Sequence, residues 1–266
     1  MTINELKENC IAVENVYLNK DQESKKDKQI LKSNFDFTDK NILVAGCGMG
    51  GLTLWLSKEW NCSVTGVDSD PYKIEIAEIV KTKHKPKNVR FEHKDILLQP
   101  VTERFDYIIL GNITENMPLQ ILEILLKKLS NSLKSKGKII LEYRPWGSPY
   151  LTDFQEKTNQ YWGYLLPASI RAFLLNRKTN IKIAGLDEND SNCYINYKKV
   201  NTISSRLGLE MSSRITQSIL DKYSIFKKTK PTKSIFKFFI TKEILVISSK
   251  QEIKIGNIKR KIAEVA

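Results

Sequence analysis

The run Asn41-Ile-Leu-Val-Ala-Gly-Cys-Gly-Met-Gly-Gly51, followed by helically spaced apolar residues from Leu52 to Trp60, constrains this chain more than any other stretch. A short apolar segment enters a cluster of glycines and leaves it as a helix, the pattern of strand, tight turn and helix. Gly46, Gly48, Gly50 and Gly51 let backbone N–H groups approach an anion or a carboxylate where side chains would block the way. The spacing leaves the ligand open. Gly46, Gly48 and Gly51 satisfy GxGxxG, the dinucleotide fingerprint, whereas Gly46, Gly48 and Gly50 satisfy GxGxG. Asp68 closes a second apolar strand about twenty residues further on, where an acid can accept hydrogen bonds from both ribose hydroxyls of either cofactor class.

The same alternation continues down the chain. Cys62–Val67, Val89–His93, Tyr107–Leu110 and Lys138–Tyr143 read as strands, and Tyr72–Thr82 and Ile121–Leu133 as helices between them. Continuously apolar strands separated by helices imply a parallel sheet covered on both faces. The expected fold is therefore α/β, a doubly wound, Rossmann-like, mostly parallel sheet with an antiparallel edge strand. Before the sheet, the apolar spacing of Ile3, Leu6, Cys10, Val13 and Val16 predicts one amphipathic helix, and the charged stretch Lys20–Lys28 reads as a solvated linker or frayed helix end. A helical, aromatic-rich lid is expected after the fifth strand. A helix at Val200–Leu207 and strands at Leu209–Ile215 and Ile244–Ser248 would extend the sheet. The resulting divisions are an N-terminal helical cap and linker (1–40), a binding core (41–145), the lid insertion (146–195), completion of the sheet (196–250) and a basic tail (251–266).

Composition excludes several classes. Apolar residues are 41% of the 266 and charged residues 27%, ordinary globular usage that leaves no room for a fibrous or wholly disordered chain. The four cysteines form no CxxC pair and only two histidines are present, so neither a disulfide framework nor a metal site is supported, and a cytoplasmic setting is expected. No apolar run approaches the roughly 20 residues of a membrane span. The N-terminus lacks the order of a secretory signal. The net charge of +13 is uneven: from Gln217 to Ala266 there are 12 Lys/Arg and 4 Asp/Glu. Lysine is nonetheless abundant everywhere, as it is on a solvated surface.

The wider pattern from Asn41 to Tyr143 resembles the class I S-adenosylmethionine-dependent methyltransferases. Val44-Ala-Gly-Cys-Gly-Met-Gly50 is similar to that family's first motif, Gly66-Val-Asp-Ser-Asp70 to its second-strand acid, Lys94-Asp-Ile96 to its adenine-side acid, Phe105-Asp to the entry of its fourth strand, and Lys136-Gly to the entry of its fifth. One departure is Val44, which stands where the family often has an acid. The resemblance implies S-adenosylmethionine as cofactor, with S-adenosylhomocysteine as product. It implies cofactor contacts at Ala45, Gly46, Cys47, Gly48, Gly50, Asp68, Ser69, Asp95, Ile96, Gly111 and Asn112. Gly46 and Gly48 would lie beside the methionine portion, Asp68 at the ribose, and Asp95 with Ile96 at the adenine.

In-line transfer from a sulfonium needs a positioned nucleophile and little else, so the acceptor is poorly encoded. The Asn/Asp/Ser-Pro-Pro-aromatic motif that flips and stacks a base is absent from Gly111-Asn-Ile-Thr-Glu-Asn-Met-Pro118. A small-molecule acceptor is expected, and nucleic acid is not. Candidate catalytic residues are Asn112, Glu115 and Tyr143, with Glu142 as a further strand-end carboxylate. Trp146, Tyr150, Tyr161 and Trp162 in the insertion are the candidate acceptor-binding residues, since a segment after the fifth strand lies over the strands' carboxyl ends. His84 and His93 are expected to be solvated or packed. The alternatives are an RNA or protein methyltransferase using the basic C-terminal region, an NAD(P)-dependent oxidoreductase, and a silent cofactor-binding regulator. The oligomeric state is not encoded.

Overall fold

The computed structural model describes residues 2–111, 117–144, 195–218 and 240–249. Two helices open the chain, α1 (Ile3–Tyr17) and α2 (Gln22–Asn34). The alternating part follows as β1 (Asn41–Ala45), α3 (Gly51–Trp60), β2 (Ser63–Asp68), α4 (Pro71–His84), β3 (Val89–His93), β4 (Phe105–Leu110), α5 (Leu119–Ser130) and β5 (Leu133–Tyr143). The elements α6 (Tyr197–Arg206), β6 (Leu209–Ser218) and β7 (Ile240–Ser249) complete the described residues. The strands form one sheet in the order β3-β2-β1-β4-β5-β7-β6. β1 through β5 are parallel, and β7 runs antiparallel to both β5 and β6. The α/β class, the mostly parallel sheet and its antiparallel strand follow the pattern expected from the sequence. The expected insertion, apart from Ile195, and the basic tail lie outside the described residues.

Period-two alternation sorts the core. Leu43, Ala45, Ile108, Leu110, Ile139 and Leu141 face α5 and α6, burying Leu122, Leu125, Leu126, Val200 and Ile203. Ile42, Val44, Ile109 and Ile140 face the other way, against Trp55, Leu56, Leu31 and Phe37. A third cluster joins α1 to α3, α4 and β3 through Val13, Leu54, Ile76, Val80 and Phe91. Each fully buried Leu or Ile contributes about 1.5–3 kcal/mol relative to exposure, so both faces of these strands stabilise the fold.

Two expectations are corrected. Leu133 continues the apolar spacing of α5, but the helix ends at Ser130, and Leu133 instead pairs with Phe105 to open β5. The charged stretch Lys20–Lys28 is no linker. It enters α2, where Lys28 is only 3% exposed. The Lys28 ammonium donates to the Val16 carbonyl and to Asn19 Oδ1 (2.8 Å) and stands 5.1 Å from the centre of the Trp55 ring. The lysine therefore joins α1, α2 and α3. Desolvation by burial pushes it down to about 8, against the raising influence of Asp21 and Glu59.

This sets a pH dependence. In the unfolded chain Lys28 holds its proton up to about pH 10.5, whereas in the fold it releases it near 8, so between these values the unfolded state binds more protons and stability rises with pH. Comparing denaturant unfolding of the wild type and Lys28→Met isolates the effect. The stability of the wild type relative to the variant is expected to climb from pH 8 to 10.5 and to be flat below 8.

Candidate functional site

The strand order reverses direction between β1 and β4, and in open sheets of this kind ligands bind beyond the carboxyl ends of the strands at such a point. The chain leaves β1 there through the glycine run. Gly46 (φ +72°), Gly48 (+55°) and Gly50 (+86°) occupy the left-handed region, which residues with a Cβ adopt at a cost.

The glycines serve different neighbours. A Cβ on Gly50 would stand 2.5 Å from Phe91 Cζ, and one on Gly66 in β2 would stand 2.7 Å from Phe91 Cδ1. Both therefore make room for one ring of β3. A Cβ on Gly51 would stand 2.9 Å from the Val16 side chain, so this third glycine of the GxGxxG pattern is required by the docking of α1 on α3. Gly48 and Gly111, by contrast, would place a Cβ in open space among the described residues.

A cavity of about 240 Å³ lies alongside, lined in part by Gly46, Asp68, Ser69, Lys94, Asp95 and Ile96. The sequence singled out five of these six. Asp68 is 9% exposed; its Oδ2 accepts from Gly48 N at 2.8 Å and its Oδ1 from Asp70 N at 3.0 Å. Asp95 Oδ1 accepts from Leu97 N at 2.8 Å, which turns the chain after β3 and sets Ile96 into the wall. His93 at the end of β3 contacts the Ser69 carbonyl at 3.1 Å through Nε2. His84 ends α4, away from the cavity lining, with its ring 5.0 Å from that of Tyr17.

Other expected positions are placed differently. The Ala45 side chain is in the core, and the Cys47 side chain packs between two core clusters. Burial, followed by the Asp68 charge, pushes the Cys47 thiol up to about 12, so it is no nucleophile near neutrality. Any cofactor contact at these two residues is a backbone contact. Tyr143 was a candidate base, and the structure corrects that reading. Tyr143 is fully buried and its hydroxyl donates to Glu243, itself paired with Arg214 at 2.6 Å. Burial and the Glu243 charge hold the phenol above its ordinary value. Glu142 points to the opposite face and pairs with Lys242 (2.5 Å), which also meets Asp27 of α2 at 2.7 Å. Burial disfavours the Lys242 ammonium, but Glu142 and Asp27 outweigh it and raise its pKa. Asn112, Glu115, Trp146, Tyr150, Tyr161 and Trp162 lie outside the described residues. Among the described residues, no cluster of His, Cys, Asp and Glu could hold a metal ion.

The sequence reading missed Lys73, Leu97, Met117 and Leu125, which also line the cavity. Leu125 belongs to the apolar stripe of α5, and only the crossover that lays this helix over β4 brings it to the cavity.

Comparison with known proteins agrees with this geometry. Residues 36–166 match a family model described as a methyltransferase domain. This stretch is similar to a methyltransferase domain and carries a Rossmann-like fold. The chain is 30% identical over 105 residues to (S)-coclaurine N-methyltransferase of Papaver somniferum, a match covering 39% of this chain and 29% of that protein. It thus spans under a third of the length of the curated relatives it matches. Among solved structures, magnesium protoporphyrin IX methyltransferase from Synechocystis PCC 6803, with bound S-adenosylhomocysteine, superposes with a TM-score of 0.53 at 14% identity, covering 94% of this chain and 90% of the other. A Pyrococcus horikoshii OT3 protein superposes with a TM-score of 0.57 at 17% identity, covering 86% and 92%. At such identities the superpositions show the fold alone.

The shared demand of Gly50 and Gly66 on Phe91 is testable. Gly66→Ala is expected to destabilise by about 1–3 kcal/mol through overpacking. Phe91→Leu in the same chain should recover part of that loss, a coupling measured by denaturant unfolding of both single variants and the double variant.

Proposed function

We propose that this chain is an S-adenosylmethionine-dependent methyltransferase acting on a small-molecule acceptor. The observation that carries the reading is the single cavity in which a glycine turn, a strand-end acid and a second acid followed by an apolar residue meet in chain order: Gly46, Asp68, Asp95 and Ile96. The residues suit that cofactor. Asp68 keeps acceptor capacity for ribose hydroxyls, Ile96 and Leu97 offer an apolar wall to a purine, Asp95 can accept from its amino group, and Gly48 leaves space for the amino-acid end. Bound there, the cofactor supplies a methyl group on a sulfonium, which makes it electrophilic.

The chain's own task is then to hold donor and acceptor in line and to keep water out. Acceptor contacts are proposed for Asn112 and Glu115 after β4, and for Trp146, Tyr150, Tyr161 and Trp162 after β5. Tyr143 is left out of that set by its buried bond to Glu243. The name of the curated relatives that match, (S)-coclaurine N-methyltransferase, favours a small acceptor, as does the missing base-flipping motif. The oxidoreductase alternative is disfavoured by the match of residues 36–166 to a methyltransferase-domain model. The cytoplasm remains the expected compartment, and no helix among the described residues is long and apolar enough to cross a membrane.

The first test is ligand-dependent melting. S-adenosylmethionine and S-adenosylhomocysteine at about 100 times their dissociation constants should stabilise the protein by about 2.7 kcal/mol, and NAD or NADP should not. A shift with NADP alone would overturn the assignment. Incubating host extract with the protein and methyl-labelled cofactor should then place label on a small molecule, identified by mass spectrometry. RNA binding, measured by filter retention, should be weak and should fall steeply between about 50 and 200 mM salt. Label recovered on purified RNA would overturn the small-molecule reading.

A further inference from the structure

We infer that Asp68 is also a positioning residue, which holds the glycine loop in shape before any ligand arrives. Three consecutive amides of the loop turn toward the end of β2. Gly46 N and Cys47 N both donate to the Val67 carbonyl, at 2.8 and 3.0 Å, and Gly48 N donates to Asp68 Oδ2 at 2.8 Å. The other carboxylate oxygen takes Asp70 N, at the turn into α4, and the Asp68 carbonyl takes Lys94 N at 2.9 Å, at the exit from β3. One residue therefore joins the three segments that contribute Gly46, Ser69 and Asp95 to the cavity wall. Among the described residues, no atom lies within 4 Å of where a Cβ on Gly48, at φ +55°, would stand. The inference deepens the proposed function and rests on it only for the ribose contact.

The chemistry calls for an acid rather than any polar residue. An ionised carboxylate accepts on both oxygens and has about four lone-pair sites, so two backbone amides use half of them and each oxygen retains one. Hydrogen bonds from N–H groups to a charged oxygen are about twice as strong as neutral ones. Asparagine cannot replace it, because its NH₂ would face one of the two donors. Glutamate keeps the charge, but one extra methylene carries its oxygens past at least one of the two amides.

Amide hydrogen exchange of the ligand-free protein, read at single residues, tests this in the wild type, Asp68→Asn, Asp68→Glu and Asp95→Asn. In the wild type the Gly48 amide is expected to be protected. Each Asp68 variant should speed exchange at Gly48, at Asp70 or at both by at least about tenfold, the loss of a charge-assisted hydrogen bond. The amides of Leu54 and Ile74, inside α3 and α4, should stay protected in every variant, and Asp95→Asn should leave Gly48 as in the wild type. Gly48 exchanging at the rate of an unstructured peptide in the wild type would overturn the inference, with no variant needed. So would unchanged exchange at Gly48 and Asp70 in both Asp68 variants. If Asp68→Asn does not fold, Asp68→Glu and the wild type decide. Because no cofactor is present, failure here is distinct from failure of the methyl-donor reading, which would show as an absent melting shift with S-adenosylmethionine.

Discussion

The central strand β1 is covered on both faces, with Ile42, Leu43, Val44 and Ala45 each at most 3% exposed. A strand sealed in this way offers a ligand neither face, so chemistry can reach it only from an end. At the amino end, Asn41 N is bound by the Asp106 carboxylate, which Lys134 also meets at 2.7 Å, and the entrance is filled by polar pairing. At the carboxyl end the chain must reverse at once to lay α3 over the sheet, and the glycine run permits that reversal. The cavity follows from this geometry: it is the space that remains where one strand turns back over one face and β4 leads to a helix on the other.

How far the sequence carried the reading depended on the range of the interaction. Apolar strands and the helices between them have periods visible over five to fifteen residues, and the sheet follows from them. The glycine run and Asp68 were legible because turn chemistry and strand ends are also local, whereas Ser69, Asp95 and Ile96 were named through the resemblance of their motifs to a known family. The stretch before the sheet misled for a physical reason. Its charges match a solvated segment, but Lys28 is drawn inward by Trp55 and by carbonyl and amide oxygens from α1 and its turn, partners that no local pattern announces. Leu133 misled in the same way, since its place in the helical stripe is local and its pairing with Phe105 is not. Tyr143 lies at a strand end, as many functional residues do, and only the partner strand β7 reveals that its hydroxyl is already engaged.

Two buried polar groups flank the junction of β5 and β7, one on each face. Glu142, Lys242 and Asp27 link the sheet to α2, and Tyr143, Glu243 and Arg214 link it toward α6, where the Arg214 guanidinium lies 4.4 Å from the centre of the Tyr197 ring. Removing one member of such a group leaves a charge in a poorly solvated place, which typically costs 3–5 kcal/mol, roughly what truncating a large core side chain costs. These groups give the antiparallel strand a register that its apolar residues alone would share with a two-residue slip.

The position of β7 also bears on how the protein is made. It pairs with β5 on one side and β6 on the other, yet it is the last of the three to leave the ribosome. Roughly 100 residues separate the end of β5 from the start of β7, which at about 5–20 residues per second is about 5–20 seconds of synthesis. For that interval the nascent sheet carries an open edge of apolar strand, from Ile139 to Tyr143, with unbonded N–H and C=O groups of the kind that recruit other chains. The nascent chain is therefore most exposed to misassociation just before the strand that closes its sheet arrives.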